Sequence, residues 1–339
     1  MPWRATRDPY HIWVSEVILQ QTRVDQGLAY YHAFLKRFPT VNHLARAKVA
    51  TVLRVWQGLG YYSRARNMHR CARTVVQDHA AKFPETVDTL IKLPGIGDYT
   101  AAAIASICHN APAAVVDGNV YRVLSRIFGI DTPINTPAGR KEFAHLASSL
   151  LPGSQTGEYN QALMEFGALH CTPRNPKCDE CTFHSACTAR VRSLQGQLPV
   201  KIEARPRRTR YLHYLVIRSG GKIAMRRRPA GDIWEGLYDF PSVESETPLT
   251  ARMLVKKFTA LAGLPVKTAS VSRVKHQLTH QQLMVEFHIA SLTGETKLPE
   301  GAIFYSMLRI SKLAKPVHIA RFVSSLQQQV ASDLSRRNL

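Results

Sequence analysis

The residues most able to do chemistry are two carboxylates, one glycine hairpin and four crowded cysteines. Glu16 lies in a helical stretch whose buried stripe is Tyr10, Trp13, Val14, Val17 and Ile18. It sits off that stripe beside Ile12, Leu19 and Gln20, where loss of water would favour the protonated carboxyl and make a usable general acid. Read alone, a glutamate such as Glu16 is usually an exposed one, and Gln20 and Gln21 are surface amides unless this face meets a ligand. The hairpin Leu93-Pro94-Gly95-Ile96-Gly97 precedes an alanine-rich helix, Thr100 to His109, and Asp117 lies beyond that helix. Glycines at 95 and 97 permit positive φ and leave backbone N–H groups open to a phosphate. The plain alternative is a tight interhelical turn followed by an Asp-Gly turn.

Cys171, Cys178, Cys181 and Cys187 follow the spacing Cys-x6-Cys-x2-Cys-x5-Cys. Four thiolates so close could hold zinc or an iron–sulfur cluster, and spacing does not choose between them. Arg174 and Lys177, between these ligands, could face phosphate. Cys71 and Cys108 fall in helical segments and read as core.

These residues need elements to hold them. Helical periodicity runs through Leu28–Phe38, Val49–Trp56, Ser63–His79, Val120–Phe128, Arg140–Leu151 and Tyr159–His170, with no strand pattern in the first two hundred residues. The N-terminal domain is therefore expected to be all-α. Gly58-Leu59-Gly60-Tyr61-Tyr62 interrupts the helices with a glycine-bounded aromatic pair. It is either a wedge for a base stack or a pair of tyrosines packed on the next helix. Gln195–Arg210 reads as a basic link, after which Tyr211–Arg218 and Gly221–Arg226 suggest a β-hairpin, Leu249–Leu261 a helix and Leu283–Ile289 a further strand. A smaller α+β domain is expected there, with a frayed tail from Ser332.

With 339 residues the chain is long enough for two domains. Lys and Arg number 45 against 24 Asp and Glu, a formal charge of +21 that favours a polyanionic partner. The start carries Arg4, Arg7, Asp8 and Glu16 and no signal-like apolar run, so a cytoplasmic protein is expected, with no membrane partner. Crowded cysteines in a reducing compartment suggest ligands rather than disulfides.

Taken together, Glu16-Val17-Ile18-Leu19-Gln20-Gln21-Thr22, the 93–97 hairpin, Val116-Asp117-Gly118-Asn119-Val120 and the four-cysteine loop resemble the MutY-type adenine DNA glycosylases of the helix-hairpin-helix, endonuclease III-like superfamily. The resemblance implies a multidomain protein. An all-α helix-hairpin-helix glycosylase domain would span 1–194, with a [4Fe–4S] loop at 171–187. A linker at 195–210, a Nudix-like domain at 211–331 and a tail at 332–339 would follow.

It further implies a monofunctional base excision repair enzyme that flips out adenine mispaired with 8-oxoguanine or guanine in duplex DNA. Glu16 would protonate the base, and Asp117 would stabilise the sugar cation or trap it briefly. Tyr99 and Asn119 would hydrogen-bond around these carboxylates. Gln20, Gln21, Tyr61, Gly95, Gly97, Thr279 and His280 would contact DNA, and a monomer associated with the nucleoid is expected.

Endonuclease III-like lyases place a lysine where this chain has Tyr99, and a phenol cannot form an imine. A Nudix hydrolase needs clustered glutamates for magnesium, whereas Ala251 to Gly263 contains no acidic residue. The segment Val274-Lys275-His276-Gln277-Leu278-Thr279-His280 corresponds to the family's loop for 8-oxoguanine, with Leu278 in place of an aromatic. The family carries about one further helix before the residues matching Pro2-Trp3-Arg4, and its lack would affect stability rather than chemistry. Two alternatives stay open: a bifunctional glycosylase and lyase acting on oxidised pyrimidines, and a catalytically inert iron–sulfur protein that binds DNA.

Overall fold

The computed structural model describes residues 1–203, 206–263, 268–278, 280–291 and 298–337. They form two compact units, one of Met1–Ala47 with Asn67–Ala204 and the other of Lys48–Arg66 with Arg205–Leu339. The helices are α1 (Pro9–Leu19), α2 (Val24–Arg37), α3 (Val41–Arg46), α4 (Val49–Val55), α5 (Tyr62–Asp78), α6 (Val87–Leu90), α7 (Asp98–His109), α8 (Gly118–Phe128), α9 (Pro137–Ser149), α10 (Thr156–Leu169) and α11 (Thr188–Val191). After them come α12 (Ala251–Ala262), α13 (Met307–Lys312) and α14 (Val317–Arg337).

The first unit is helical, and α7 is its axis. Thr100 to Ile107 are all buried, because an alanine-rich helix can be surrounded closely on every side. Helices α1 and α10 pack against it. The α1 helix begins on Asp8, whose side chain caps the N–H groups of Tyr10 and His11, and it too is buried around most of its circumference. Gly167 lets α10 lie against α8, since a Cβ there would stand 2.7 Å from that of Asn119.

The second unit is a mixed sheet built from β1 (Arg208–Ser219), β2 (Lys222–Arg227), β3 (Tyr238–Asp239), β4 (Ser242–Ser245), β5 (Thr268–Gln277), β6 (Gln281–Ser291) and β7 (Ala302–Ser306). The strand order is β3-β2-β1-β6-β5, with β4 also on β1 and β7 on β2. Strands β1 and β6 pair in parallel, Leu215 opposite His288, and the remaining pairings are antiparallel. Alternation along the strands gives the sheet two faces. Leu215, Ile217 and Ala290 meet Leu254, Phe258 and Ala262 of α12, while Tyr214 and Phe287 stack with each other and Phe287 lies flat on Phe322 of α14, centroids 4.0 Å apart.

Lys48–Arg66 packs with the second unit, while its sequence is as helical as that of its neighbours. Other expectations need correcting. The supposed link at Gln195–Arg210 is not free chain. Arg126 donates to the carbonyls of Gln195 and Leu198, Ile134 donates to that of Val200, and β1 has begun by Arg208. The tail from Ser332 is not frayed backbone, since α14 continues to Arg337. Val274–Gln277 are strand β5 rather than loop, leaving Leu278 in the turn, where its N–H donates to the carbonyl of Gln281. Thr279 lies outside the described residues.

Candidate active site and cluster loop

Within the first unit an open cavity of about 610 Å³ is lined by Glu16, Gln20, Gln21, Tyr99, Asp117, Asn119 and Met164, among others. Residues from α1, α7, α8 and α10 thus meet at one place. Glu16 is 8% exposed. The phenol of Tyr99 donates to its Oε2 at 2.5 Å. Burial pushes the Glu16 carboxyl up to about 7, and the negative charge of Asp117 adds to the rise, against the opposing pull of the Tyr99 hydrogen bond and Arg4. A carboxyl poised there can hold a proton at neutral pH and give it away.

Asp117 is the N-cap of α8. Its Oδ1 accepts from the backbone N–H groups of Asn119 and Val120, at 2.8 and 2.7 Å, and its Oδ2 accepts from the Asn119 side chain at 2.8 Å. Burial raises this carboxyl also, while those three bonds and Arg122 favour its anion. The helix N-terminus adds its positive end. One cavity therefore holds an acid inclined to keep its proton beside a second acid surrounded by donors.

Gln20 donates to Thr100 Oγ1 at 3.3 Å, and the exposed Gln21 has φ 60°. The hairpin does not line the cavity, but Gly97 is the N-cap of α7 and so lies two residues from Tyr99. Only Gly95 uses positive φ, 79°; there a Cβ would stand 2.5 Å from the Cβ of Asn67. Gly97 has φ −103° with open space where a Cβ would project, so its lack of a side chain provides clearance rather than an unusual backbone.

Sequence reading missed the residues that brace the two acids. Arg122, 8% exposed, donates to Asn119 Oδ1 at 2.8 Å, to the Gly167 carbonyl at 2.6 Å and to the Cys171 carbonyl at 2.8 Å. Asn160 accepts from Val115 N–H at 3.1 Å and donates to the Ala113 carbonyl at 2.8 Å, fixing the approach to Asp117. The i, i+3 spacing of Asn119 and Arg122 on α8 was the one available signal.

The glycine-bounded tyrosines prove unequal. Tyr62 is buried and donates to the Lys315 carbonyl at 3.3 Å, whereas Tyr61 is 43% exposed with φ 46°. In the second unit Tyr61 lines a cavity of about 630 Å³ with Trp234, His276, Leu278 and His280. Tyr61 and His280, far apart in sequence, are thus brought to one cavity, and neither lines the one that holds the carboxylates.

The four cysteines line a pocket with Arg126, Phe166 and Gln195, and all four are free thiols. Arg126 donates to Cys171 Sγ at 3.4 Å and to the Thr172 carbonyl at 2.8 Å. Four thiols on one pocket, with Arg126 donating to one of them, form a donor set that suits an iron–sulfur cluster.

Comparisons with known proteins agree. Residues 14–148 match the HhH-GPD superfamily of base excision DNA repair proteins, 171–187 the iron-sulfur binding domain of endonuclease III, and 213–325 the NUDIX domain. The adenine DNA glycosylase of Buchnera aphidicola subsp. Baizongia pistaciae is 33% identical over 287 residues, covering 84% of this chain and 80% of that one. That of Homo sapiens is 31% identical, covering 99% and 75%. A thermostable thymine-DNA glycosylase superimposes with TM-score 0.53 at 31% identity, over 57% of this chain and 88% of its own. An endonuclease III–DNA complex gives 0.50 at 20% identity, over 56% and 87%, a likeness of fold. The cysteine loop is a [4Fe–4S] site, with Cys171, Cys178, Cys181 and Cys187 as the thiolates that would hold the cluster.

Proposed function

Because the chain belongs to the adenine DNA glycosylase family, we propose that it hydrolyses the bond between deoxyribose and adenine mispaired with 8-oxoguanine or guanine in duplex DNA. The observation that carries this reading is a protonatable Glu16 and a braced Asp117 on one cavity. The target bond is sheltered in a stacked duplex, so the nucleotide must be flipped out at a cost of a few kcal/mol. A charge of +21, the 93–97 hairpin and the exposed Gln21 and Tyr61 supply the contacts that offset it.

With adenine in the cavity, the Glu16 carboxyl gives its proton to N7. The electron pair of the C1′–N9 bond then leaves with the purine. Asp117 faces the resulting oxocarbenium with a negative charge, or forms a short-lived bond to C1′. Water adds to C1′ and its proton returns to Glu16. Asn119 and Tyr99 hold the two carboxylates in place. Cys171, Cys178, Cys181 and Cys187 would hold a cluster that ties the 171–187 loop together, from which the exposed Arg174 and Lys177 would meet DNA phosphate.

Tyr99 stands where a lyase would need an amine, which favours a monofunctional enzyme. The second unit serves recognition: α12 has no acid for magnesium, and the cavity with Tyr61 and His280 is the reader of 8-oxoguanine, with Thr279 beside it in sequence. The reading extends to a monomer working in the cytoplasm on nucleoid DNA. Among the described residues no helix is long and apolar enough to cross a membrane.

The test is a duplex carrying adenine opposite 8-oxoguanine or guanine. Release of free adenine with strand breakage only after alkali is the expected result. Breakage without alkali at an oxidised pyrimidine would transfer the protein to the lyases, and no base release from any duplex would leave only DNA binding.

A further inference from the structure

Beneath α12 an apolar cluster of the sheet face carries a group of ionisable side chains at its side. Alternation puts His213, Leu215 and Ile217 of β1 on that face, with Glu286, His288 and Ala290 of β6 beside them. His213 and Glu286 are opposite each other in the parallel register. Both imidazoles are only 4% exposed, and Phe258 of α12 meets the His288 ring edge-on at 5.3 Å.

Two histidines and a carboxylate inside a hydrophobic layer need partners. His213 Nδ1 and His288 Nε2 each stand 3.3 Å from the same Glu286 oxygen, Oε2. These contacts are close enough for Glu286 to attract both rings but not aimed as good hydrogen bonds, and His213 Nε2 has no hydrogen-bond partner at all. The three donor atoms lie within 4.8 Å of one another. A tetrahedral ion with bonds of roughly 2.0–2.1 Å sets its ligands about 3.3 Å apart, so two edges of such a polyhedron are already drawn. Arg273 holds the other carboxylate oxygen, Oε1, at 2.7 Å, an outer partner that leaves Oε2 available.

We propose that His213, Glu286 and His288 form a binding site for one zinc-like divalent cation, with a water as fourth ligand. Imidazole and carboxylate suit zinc, whereas the thiols of the 171–187 loop suit iron and sulfide. The bound ion would tie β1 to β6 at the middle of the second unit's sheet and supply the partners the imidazoles lack.

The test uses holoprotein with its cluster intact, titrated anaerobically with Co²⁺ and then with Zn²⁺. One equivalent of cobalt is expected, with the visible bands of a tetrahedral nitrogen and oxygen site, no sulfur-to-cobalt charge transfer, and displacement by zinc. Glu286→Gln and His288→Asn should each weaken uptake at least tenfold. No uptake by the wild type, uptake unchanged in both variants, or a thiolate signature would overturn the proposal. Should a variant misfold by circular dichroism, zinc-edge X-ray absorption of the wild type decides: two imidazoles and an oxygen support the site, and a sulfur shell refutes it.

Discussion

Glu16 in the first unit and Asp239 in the second are both carboxylates removed from water, yet their surroundings differ in kind. Glu16 has a neutral phenol as its hydrogen-bond partner, and Arg4, the cation that would draw its pKa down, is engaged by Glu165 at 2.6 Å. Asp239 is 0% exposed and meets Arg228 at 2.8 Å and Arg226 at 3.4 Å. Around it Arg228 and Arg210 both bind Asp232, at 2.8 Å each, and both also reach Glu244. The Arg210 hydrogen bonds hold the Asp232 carboxyl well below the usual carboxylate range. Burial raises the Asp239 carboxyl too, against the pull of Arg228 and Arg226. The contrast therefore lies in the compensation: Glu16 meets its burial with a neutral phenol, Asp239 with two guanidiniums, and only the less buried Asp232 beside them is pulled down.

Removing the chemistry from one side of that comparison should have the largest effect. Glu16→Gln should lower single-turnover adenine release by on the order of 10³–10⁴, and Asp117→Asn by about 10²–10³, with duplex affinity retained in gel-shift measurements. Near-normal turnover in either variant would remove the assigned role. On the other side, Arg228→Ala leaves Asp239 buried with less compensation. It should cost about 3–5 kcal/mol of the second unit's stability by urea unfolding, while the Glu16 site keeps its pH profile.

The bracing of Asp117 gives an intermediate effect. Arg122→Gln should reduce base release about tenfold or more by freeing Asn119, with the visible absorbance of the iron–sulfur cluster reporting whether the loop survives.

The pH dependence sharpens the comparison further. If protonated Glu16 is the active form, the rate should fall as pH rises through about 7. Tyr99→Phe removes a bond that favours the anion, so this limb should move to higher pH; movement to lower pH would show that the phenol does not stabilise the carboxylate. The smallest effect is on stability. Because the folded pKa of Glu16 is raised, its contribution is favourable at low pH and is lost as pH climbs from about 4.5, the ordinary value, through about 7. Glu16→Gln should therefore melt above the wild type at pH 8, by on the order of 1–3 kcal/mol, and show little gain at pH 5.

Much of this was legible in the chain. Helical spacing located α1, α7, α8 and α10, because 3.6-residue periodicity is a local property. The placing of Glu16 beside Ile12 and Leu19 anticipated its desolvation, and the cysteine spacing anticipated a ligand loop. Local patterns did not reveal Arg122 or Asn160, whose partners are far away in sequence. Nor did they reveal that Tyr61 and Tyr62 part company, one exposed and one buried.

By itself, then, the sequence determined the type and period of the helices, the charge, the crowding of four cysteines at 171–187 and the presence of Glu16 and Asp117. Tertiary structure alone decided that those acids share a cavity and that His213 meets Glu286 and His288 beneath α12. The reason is range. Periodicity and turn chemistry act over a few residues, whereas burial, pKa and ligand geometry depend on which distant segments exclude water from one another.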